Sequence, residues 1–169
     1  MLARFTFLLI TLLAFACGSE PKIEEGRHYA TDNSFSFVPP ENWEQGEMPG
    51  FKYKVFSFTP HGEFSPNINV VNEKFAGSLE EYTSANLASL DAMIPSWKLE
   101  REFKVQLDSG AEAHAYSSTA EMWEMNLKQT GFLFDGGDTK FIMTFTQEQS
   151  DPRDLSDVVE NCVRTFRVE

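Results

Sequence analysis

Cysteine is scarce in this sequence, which has only Cys17 and Cys162 among 169 residues. Disulfide-rich secreted domains and zinc scaffolds need several cysteines, so neither class is indicated. A chain of this length buries roughly 70% of its unfolded surface and is stable without such cross-links. Cys162 lies in an apolar stripe at helical spacing, which predicts a buried, unreactive thiol. The stripe consists of Leu155, Val158, Val159, Cys162, Val163 and Phe166.

Positive charge is also in short supply. There are 14 lysines and arginines against 26 aspartates and glutamates, which gives a formal charge of −12. A chain of this charge repels phosphate backbones and anionic lipid headgroups alike. We therefore expect neither nucleic-acid binding nor a basic face that docks on a membrane.

The sequence lacks the short motifs that carry common chemistries. There is no G-x-S-x-G elbow, no Walker loop and no G-x-G-x-x-G stretch. His28, His61 and His114 are far apart, and none has zinc-type spacing to another histidine or to a cysteine. The stretch DGGD at 135–138 lacks the ligand spacing of an EF-hand and is typical of a tight turn. We expect no catalytic, cofactor or metal site.

No apolar run is long enough to cross a bilayer. The longest, residues 5–16, would reach only about 18 Å as a helix, whereas the hydrocarbon core is roughly 30 Å thick. Arg4 precedes this run and the small residue Ala16 closes it, immediately before Cys17. A basic start, an apolar middle and a small-residue exit are typical of a secretory signal peptide.

The segment resembles a bacterial lipoprotein signal, in which cleavage occurs just before a lipid-modified cysteine. Ala16, Cys17, Gly18 and Ser19 match that pattern, while Ala14 stands where leucine is usual. The resemblance implies a signal peptide at 1–16, lipid on Cys17, and attachment to the membrane through acyl chains. Gly18 is compatible with transport to the outer membrane. The alternative is an ordinary secretory signal beside a chance cysteine.

The rest of the chain is predicted to form one domain. Residues 18–26 are polar and are interpreted as part of a flexible tether that covers 17–27, before a domain at 28–169. Strands are predicted at 35–38, 54–58, 67–71, 97–107, from 111, at about 121–134, and at 139–147.

Two helices are predicted among these strands. One begins after a Ser78–Glu81 capping box and ends before Pro95; the other begins at Asp151 and Pro152. In the strand at 97–107, Trp97, Leu99, Phe103, Val105 and Leu107 are expected to share one face. Strands joined by tight turns are antiparallel, so the fold class is α+β.

The order of several motifs resembles the PsbP-like superfamily, which includes Mog-type Ran-binding proteins and DcrB-like bacterial lipoproteins. The resemblance begins with Phe35-Ser36-Phe37, a proline at 39 or 40, and Trp43. It continues with GAEA from Gly110, FIMTFT at 141–146, and the ending Thr165-Phe166-Arg167. It implies an α/β/α sandwich around a central, mainly antiparallel sheet flanked by helices. It also implies binding or accessory roles rather than catalysis.

These observations favour a lipid-anchored, non-catalytic protein of the bacterial cell envelope. Its domain would lie outside the cytoplasm and contact another envelope protein or assembly. An alternative is a lipoprotein that binds a small ligand or a cation at a sheet-edge pocket. A third hypothesis, an envelope hydrolase, has only the abundance of polar side chains in its favour.

Overall fold

The computed structural model of the chain describes residues 24–169, so the predicted signal segment and Cys17 lie outside the described residues. Within 24–169 there are ten strands and two helices. In chain order they are β1 (His28–Tyr29), β2 (Phe35–Phe37), β3 (Glu44–Gly46), β4 (Val55–Ser57), β5 (Asn67–Lys74), α1 (Leu79–Met93), β6 (Lys98–Gln106), β7 (Glu112–Met122), β8 (Met125–Gly136), β9 (Thr139–Glu148), α2 (Ser156–Arg164) and β10 (Arg167–Val168).

The strands form two antiparallel sheets. The large sheet has the order β3-β4-β5-β9-β8-β7-β6, and the small sheet has the order β1-β2-β10. Alternate residues of a strand point to opposite faces, so the large sheet has an apolar cluster on each side. One cluster contains Leu133 and lies beneath α1; the other contains Phe132 and Phe134 and packs against α2 and β2. The predicted α+β fold, with a central antiparallel sheet flanked by helices, is confirmed.

Phenylalanine supplies much of the larger cluster. The rings of Phe134 and Phe166 stack with centroids 3.8 Å apart, and Phe35 stacks on Phe166 at 5.5 Å. Phe166 follows α2, while Phe35 belongs to the small sheet and Phe134 to the large one. These stacked rings therefore join three parts of the fold that are distant in sequence.

Helix α1 begins as the sequence predicts. Ser78 Oγ accepts a hydrogen bond from the backbone N–H of Glu81 at 3.1 Å, and Glu81 Oε2 accepts from the N–H of Ser78 at 2.8 Å. This reciprocal pair satisfies two N–H groups that have no partner inside the helix. Tyr82 is buried, and the other apolar residues of this face pack beside it: Leu79, Leu87, Leu90 and Ile94.

The prediction that one face of β6 carries all its apolar residues is wrong. A β-bulge between Leu99 and Arg101 shifts the register against β7. An extra residue in one strand moves the following side chains to the opposite face. Trp97 consequently packs in the cluster beneath α1, whereas Val105 and Leu107 belong to the cluster on the other face.

Two other predicted boundaries are wrong. Residues 121–134 do not form one strand, because the chain reverses at Trp123 and Glu124, between β7 and β8. Helix α2 begins at Ser156 rather than at Asp151, because the Asp151 carboxylate accepts hydrogen bonds from Arg153 instead of capping a helix. The carboxylate at the beginning of α2 is that of Asp154, whose Oδ1 accepts a hydrogen bond from the backbone N–H of Ser156 at 3.0 Å.

Residues 24–27, assigned to the tether by sequence, contact the folded domain. The Arg27 side chain is only 4% exposed, and it donates to the carbonyl oxygen of Thr165 at 2.8 Å. Glu24 accepts from Arg27 Nε at 3.1 Å and from Arg167 Nη1 at 2.7 Å. Of the helices within residues 24–169, none combines the length and the apolar character needed to cross a membrane.

Candidate functional site

The predicted site residue Cys17 lies outside the described residues, and Cys162 is buried in α2. The Cys162 side chain lies in the cluster with Val159 and Val163, and burial raises the pKa of its thiol to about 12. A thiol with so high a pKa is almost wholly protonated at neutral pH and is a poor nucleophile. The structure thus confirms that Cys162 is a buried apolar residue.

The three histidines have separate surroundings. His28 lies edge-on to Phe37 and Phe56, at centroid distances of 5.3 and 4.9 Å, and burial lowers its pKa. His61 lies in the loop between β4 and β5, and its backbone bonds to Phe64. His114 lies on β7 beside α1. Within residues 24–169, no three histidine, cysteine or acidic side chains are grouped to hold a metal ion.

The stretch at 135–138 forms the turn between β8 and β9. Asp135 Oδ1 accepts from the N–H of Gly137 and from Lys140 Nζ, both at 2.9 Å. Lys140, whose side chain is 2% exposed, also donates to the carbonyl oxygen of Gly137. The hydrogen bond from Lys140 holds the pKa of Asp135 below its ordinary value. In these contacts Asp135 stabilises a hairpin turn, which is the role that the sequence predicts for this stretch.

A cleft of about 760 Å³ opens between the first turns of α1 and the edge of the large sheet. Its walls are Ser78, Leu79, Glu80, Thr83 and Ser84 of the α1 region, Glu102, Phe103 and Lys104 of β6, and His114 and Ala115 of β7. Charges of both signs line it, and Lys104 is paired with Glu112 at 2.6 Å. Its size is that of a small-molecule pocket.

One contact inside the cleft joins helix α1 to strand β7. Thr83 Oγ1 donates its proton to the carbonyl oxygen of Leu79 at 2.8 Å. Thr83 Oγ1 also lies 3.3 Å from His114 Nδ1. The contact places the imidazole of His114 against the first turns of α1, in the wall of the cleft.

The turn between β7 and β8 presents a large aromatic side chain to solvent. We call residues 121–125 the β7–β8 tip. Met122 and Met125 are the last pair of the ladder, and Trp123 and Glu124 form the turn between them. Trp123 has φ 52°, Glu124 has φ 64°, and the Trp123 side chain is 78% exposed. From sequence, Met122, Trp123, Met125 and Met143 are interpreted as soft fillers of the core rather than as an adaptable binding surface. For Trp123 this interpretation is wrong.

The methionines of the large sheet and of α1 are divided between core and surface. Met143, in β9, is fully buried, as the sequence favoured. Met122 is partly buried against the cluster beneath α1. Met93, at the end of α1, is 77% exposed. Ser96, three residues after Met93, bonds to Glu121 through its Oγ, which brings the end of α1 beside the β7–β8 tip.

No protein-family model and no curated protein matches the sequence, but several solved structures resemble the fold. The yeast Ran-binding protein Mog1p, from Saccharomyces cerevisiae, aligns with a TM-score of 0.59 at 14% identity, covering 84% of this chain and 94% of Mog1p. Cyanobacterial PsbP (CyanoP) from Synechocystis sp. PCC 6803 aligns at 0.56 and 12% identity, covering 90% of this chain and 99% of CyanoP. The chain has a PsbP/Mog1-like fold.

A third structure with the PsbP/Mog1-like fold is LpqN from Mycobacterium tuberculosis, described as involved in cell envelope biogenesis. It aligns with a TM-score of 0.56 at 12% identity, covering 79% of this chain and 82% of LpqN. The chain spans only 48% of a longer protein of Bacteroides thetaiotaomicron that it also resembles, at a TM-score of 0.55. At these identities the likeness establishes the fold, and function has to be argued from the site.

Proposed function

We propose that the protein is a bacterial lipoprotein that is anchored to the membrane by lipid on Cys17. Its PsbP/Mog1-like domain has a non-catalytic role. In that role the domain contacts another protein or assembly of the cell envelope. Gly18 favours the outer membrane as the place of attachment. The observation that carries the proposal is the fold, which is shared with LpqN, a protein described as involved in envelope biogenesis, and with the Ran-binding protein Mog1p.

The length of the chain between Cys17 and the domain sets how far an anchored domain can stand from the bilayer. Six residues separate Cys17 from Glu24, where the description of the folded domain begins. Residues 17–23 would extend over at most about 25 Å, so an anchored domain would stay near the headgroups. With two or more acyl chains, the attachment would be stable without any apolar surface of the domain entering the bilayer.

Cell fractionation tests the anchor. The wild-type chain, Cys17→Ala and Cys162→Ser are expressed in bacterial cells, and membranes are separated from soluble fractions. We expect wild type and Cys162→Ser in the membrane pellet and Cys17→Ala in the soluble fraction. Cys162→Ser is the matched control, because it removes the other cysteine. A Cys17→Ala chain that stays in the pellet, or wild-type protein with an unmodified amino terminus by mass spectrometry, would refute the anchor.

Chemical crosslinking in living cells tests the accessory role. We expect the wild-type chain to give a reproducible crosslinked complex with one envelope protein, whereas Cys17→Ala, released from the membrane, gives less of it. The absence of any reproducible complex would contradict the role, even if the anchor is correct.

The cleft between α1 and β6 supports a second function, the binding of a small ligand or cation. It lies at an edge strand of the large sheet, where the sequence-based alternative expects a pocket, and its walls hold the Thr83 hydroxyl and the His114 imidazole, 3.3 Å apart. A thermal-shift screen with metals and metabolites tests this function. A ligand present at 100 times its Kd adds about 2.7 kcal/mol to the free energy of unfolding. No shift with any compound would exclude it.

A further inference from the structure

Trp123 and Met93 stand out among the large apolar side chains of residues 24–169. They are 78% and 77% exposed, whereas the other exposed ones lie between 37% and 43%. The others are Val38, Met48, Val71, Leu99, Val158 and Val168. The Ser96–Glu121 hydrogen bonds, both 3.0 Å, place the chain after Met93 beside the β7–β8 tip. The two most exposed apolar side chains therefore lie at the same end of the large sheet.

The turn that presents Trp123 is poorly suited to its sequence. A two-residue hairpin with positive φ at both positions is a type I′ turn, for which Asn-Gly is the favoured sequence. Here the two positions hold tryptophan and glutamate, at φ 52° and 64°. Tryptophan and glutamate disfavour left-handed backbone, and the hydrophobic effect disfavours an indole exposed to water. Both effects oppose this turn in the isolated domain. Backbone outliers of this kind cluster at functional sites, where the surrounding structure holds them in place.

The backbone on both sides of the turn is held by hydrogen-bonded neighbours. Its ladder is paired through the last residues, Met122 and Met125, and Gln149 N–H donates to the carbonyl oxygen of Asn126 at 2.8 Å. An exposed aromatic side chain on a fixed backbone loses little conformational freedom when it is buried by a partner. Tryptophan is also the residue type most enriched among those that dominate interface energies.

The tip lies far from the point at which the described chain begins. Glu24 is paired with Arg167, and the adjacent Val168 lines the same hollow as Gly136, where β8 ends. Trp123 precedes Met125, where β8 begins. Twelve strand residues separate the two ends, a distance of roughly 37 Å. When the chain is attached through residues preceding Glu24 and β8 stands upright on the membrane, the tip points away from the bilayer.

The charge of the β7–β8 tip limits the kinds of partner that can bind it. Both ionisable residues of the tip are glutamates, Glu121 and Glu124, and the whole chain carries −12. Anionic headgroups and a second copy of this acidic chain would both be repelled. An apolar pocket rimmed by lysine or arginine would complement the indole and its two carboxylates.

From these observations we propose that the β7–β8 tip is the surface through which the domain binds a basic protein partner, with Trp123 inserted into an apolar pocket of that partner. That the partner belongs to the envelope rests on the proposed function. The location of the contact on the tip does not depend on it.

Site-specific photocrosslinking in living cells tests the surface. A photoreactive phenylalanine analogue replaces Trp123 in one full-length chain and Val71 in another; Val71 is a 40% exposed control on β5. We expect position 123 to give one crosslinked protein, identified by mass spectrometry, and position 71 to give none. The crosslinked peptide of the partner should come from a region rich in lysine and arginine.

Binding of that identified protein, once purified, tests the role of the indole. Trp123→Asn combined with Glu124→Gly retains the turn with its favoured sequence. Glu124→Gly alone is the control, because it removes the same carboxylate and keeps the indole. We expect the double variant to weaken the affinity at least ~30-fold relative to Glu124→Gly, as the loss of a dominant interface tryptophan does. Glu121→Gln with Glu124→Gln should slow association and reduce its dependence on salt.

The remaining outcomes separate the two proposals. Crosslinks at Val71 but not at 123 would refute the tip as the contact and leave the accessory role intact. A phospholipid adduct or a homodimer at position 123 would also refute the protein partner proposed for the tip. If general crosslinking finds no complex at all, the accessory role fails together with the tip. Equal affinities for wild type and the turn variant would show that Trp123 is not the anchor.

Discussion

The buried carboxylate of Asp151 is held by the guanidinium of Arg153, two residues later. Arg153 Nε lies 2.8 Å from Oδ1 and Nη2 lies 2.6 Å from Oδ2, while the Asp151 side chain is fully buried. Arg153 Nη1 also donates to the carbonyl oxygen of Thr59 at 2.8 Å. The pair thus fastens the segment before α2 to the end of the β4 region.

Replacing one member of this pair should destabilise the domain. Asp151→Asn turns one acceptor oxygen into a donor that faces the guanidinium, and it leaves a partly buried cation without its counter-ion. We expect a loss of about 2 kcal/mol in the free energy of unfolding, because Arg153 retains some access to water. Urea denaturation measures it. Asp91→Asn, at an exposed position of α1, is the control and should change stability by less than about 0.5 kcal/mol.

The same pair makes stability dependent on pH. Hydrogen bonds from Arg153 lower the pKa of Asp151, and those from Lys140 lower the pKa of Asp135. A carboxyl whose pKa is lower in the folded state stabilises the fold above its unfolded pKa, about 3.9, and loses that contribution as the pH falls through its folded value. We expect the urea concentration at the midpoint of unfolding to decrease as the pH falls below about 4. The difference between wild type and Asp151→Asn should narrow over the same range, and a constant difference would contradict the assignment.

Relieving the turn at Trp123 and Glu124 should stabilise the domain. Each residue other than glycine in left-handed backbone costs roughly 1–2 kcal/mol, less for asparagine. Trp123→Asn combined with Glu124→Gly should therefore raise the free energy of unfolding by about 1–2 kcal/mol. Trp123→Ala is the matched control, because it removes the indole but keeps an unsuitable residue at positive φ. If both variants are equally stabilised, removal of the ring rather than relief of the backbone is responsible.

Gly131 should not tolerate a methyl group. A Cβ at this buried position of β8 would lie 2.4 Å from Cε1 and Cζ of Tyr116, a ring that is itself buried against Trp97. We expect Gly131→Ala to lower the thermal midpoint, corresponding to about 2 kcal/mol of overpacking. Gly46→Ala is the control, since nothing lies within 4 Å of its Cβ position. Tyr116→Leu in the Gly131→Ala background should recover part of the loss.

Features that depend on neighbouring residues were predictable from sequence. The Ser78–Glu81 capping box is complete within four residues, and the Asp135 turn is closed by its own glycines. Burial of Cys162 followed from helical periodicity, although the same pattern failed at Val158, which is 40% exposed. In each case the residues that cause the feature are close to it in the sequence.

Features that depend on distant partners were not predictable. The bulge in β6 exists only in its register against β7, and the two-residue strand β10 is defined by its pairing with β2. The turn at Trp123 has none of the glycine or asparagine that usually indicates a reversal, so the sequence predicts one continuous strand there. The same unsuitable residues that concealed the turn are those that point to a binding surface.

The ion pair between Glu24 and Arg167 brings the two ends of the described chain, residues 24 and 169, close together. Glu169 N–H bonds to the carbonyl oxygen of Ser34, and Ser36 Oγ donates to the carboxylate of Glu169 while accepting from Arg27. A short peptide bridge could therefore join position 169 to position 24 and leave both sheets intact. Fresh termini could then be opened at the exposed reversal around Gly110. The reversal around Gly110 lies beside Asp135 and Arg167, at the same end of the large sheet as the original attachment. A circular permutant with the lipid signal before its new amino terminus would therefore keep the same side of the domain towards the membrane.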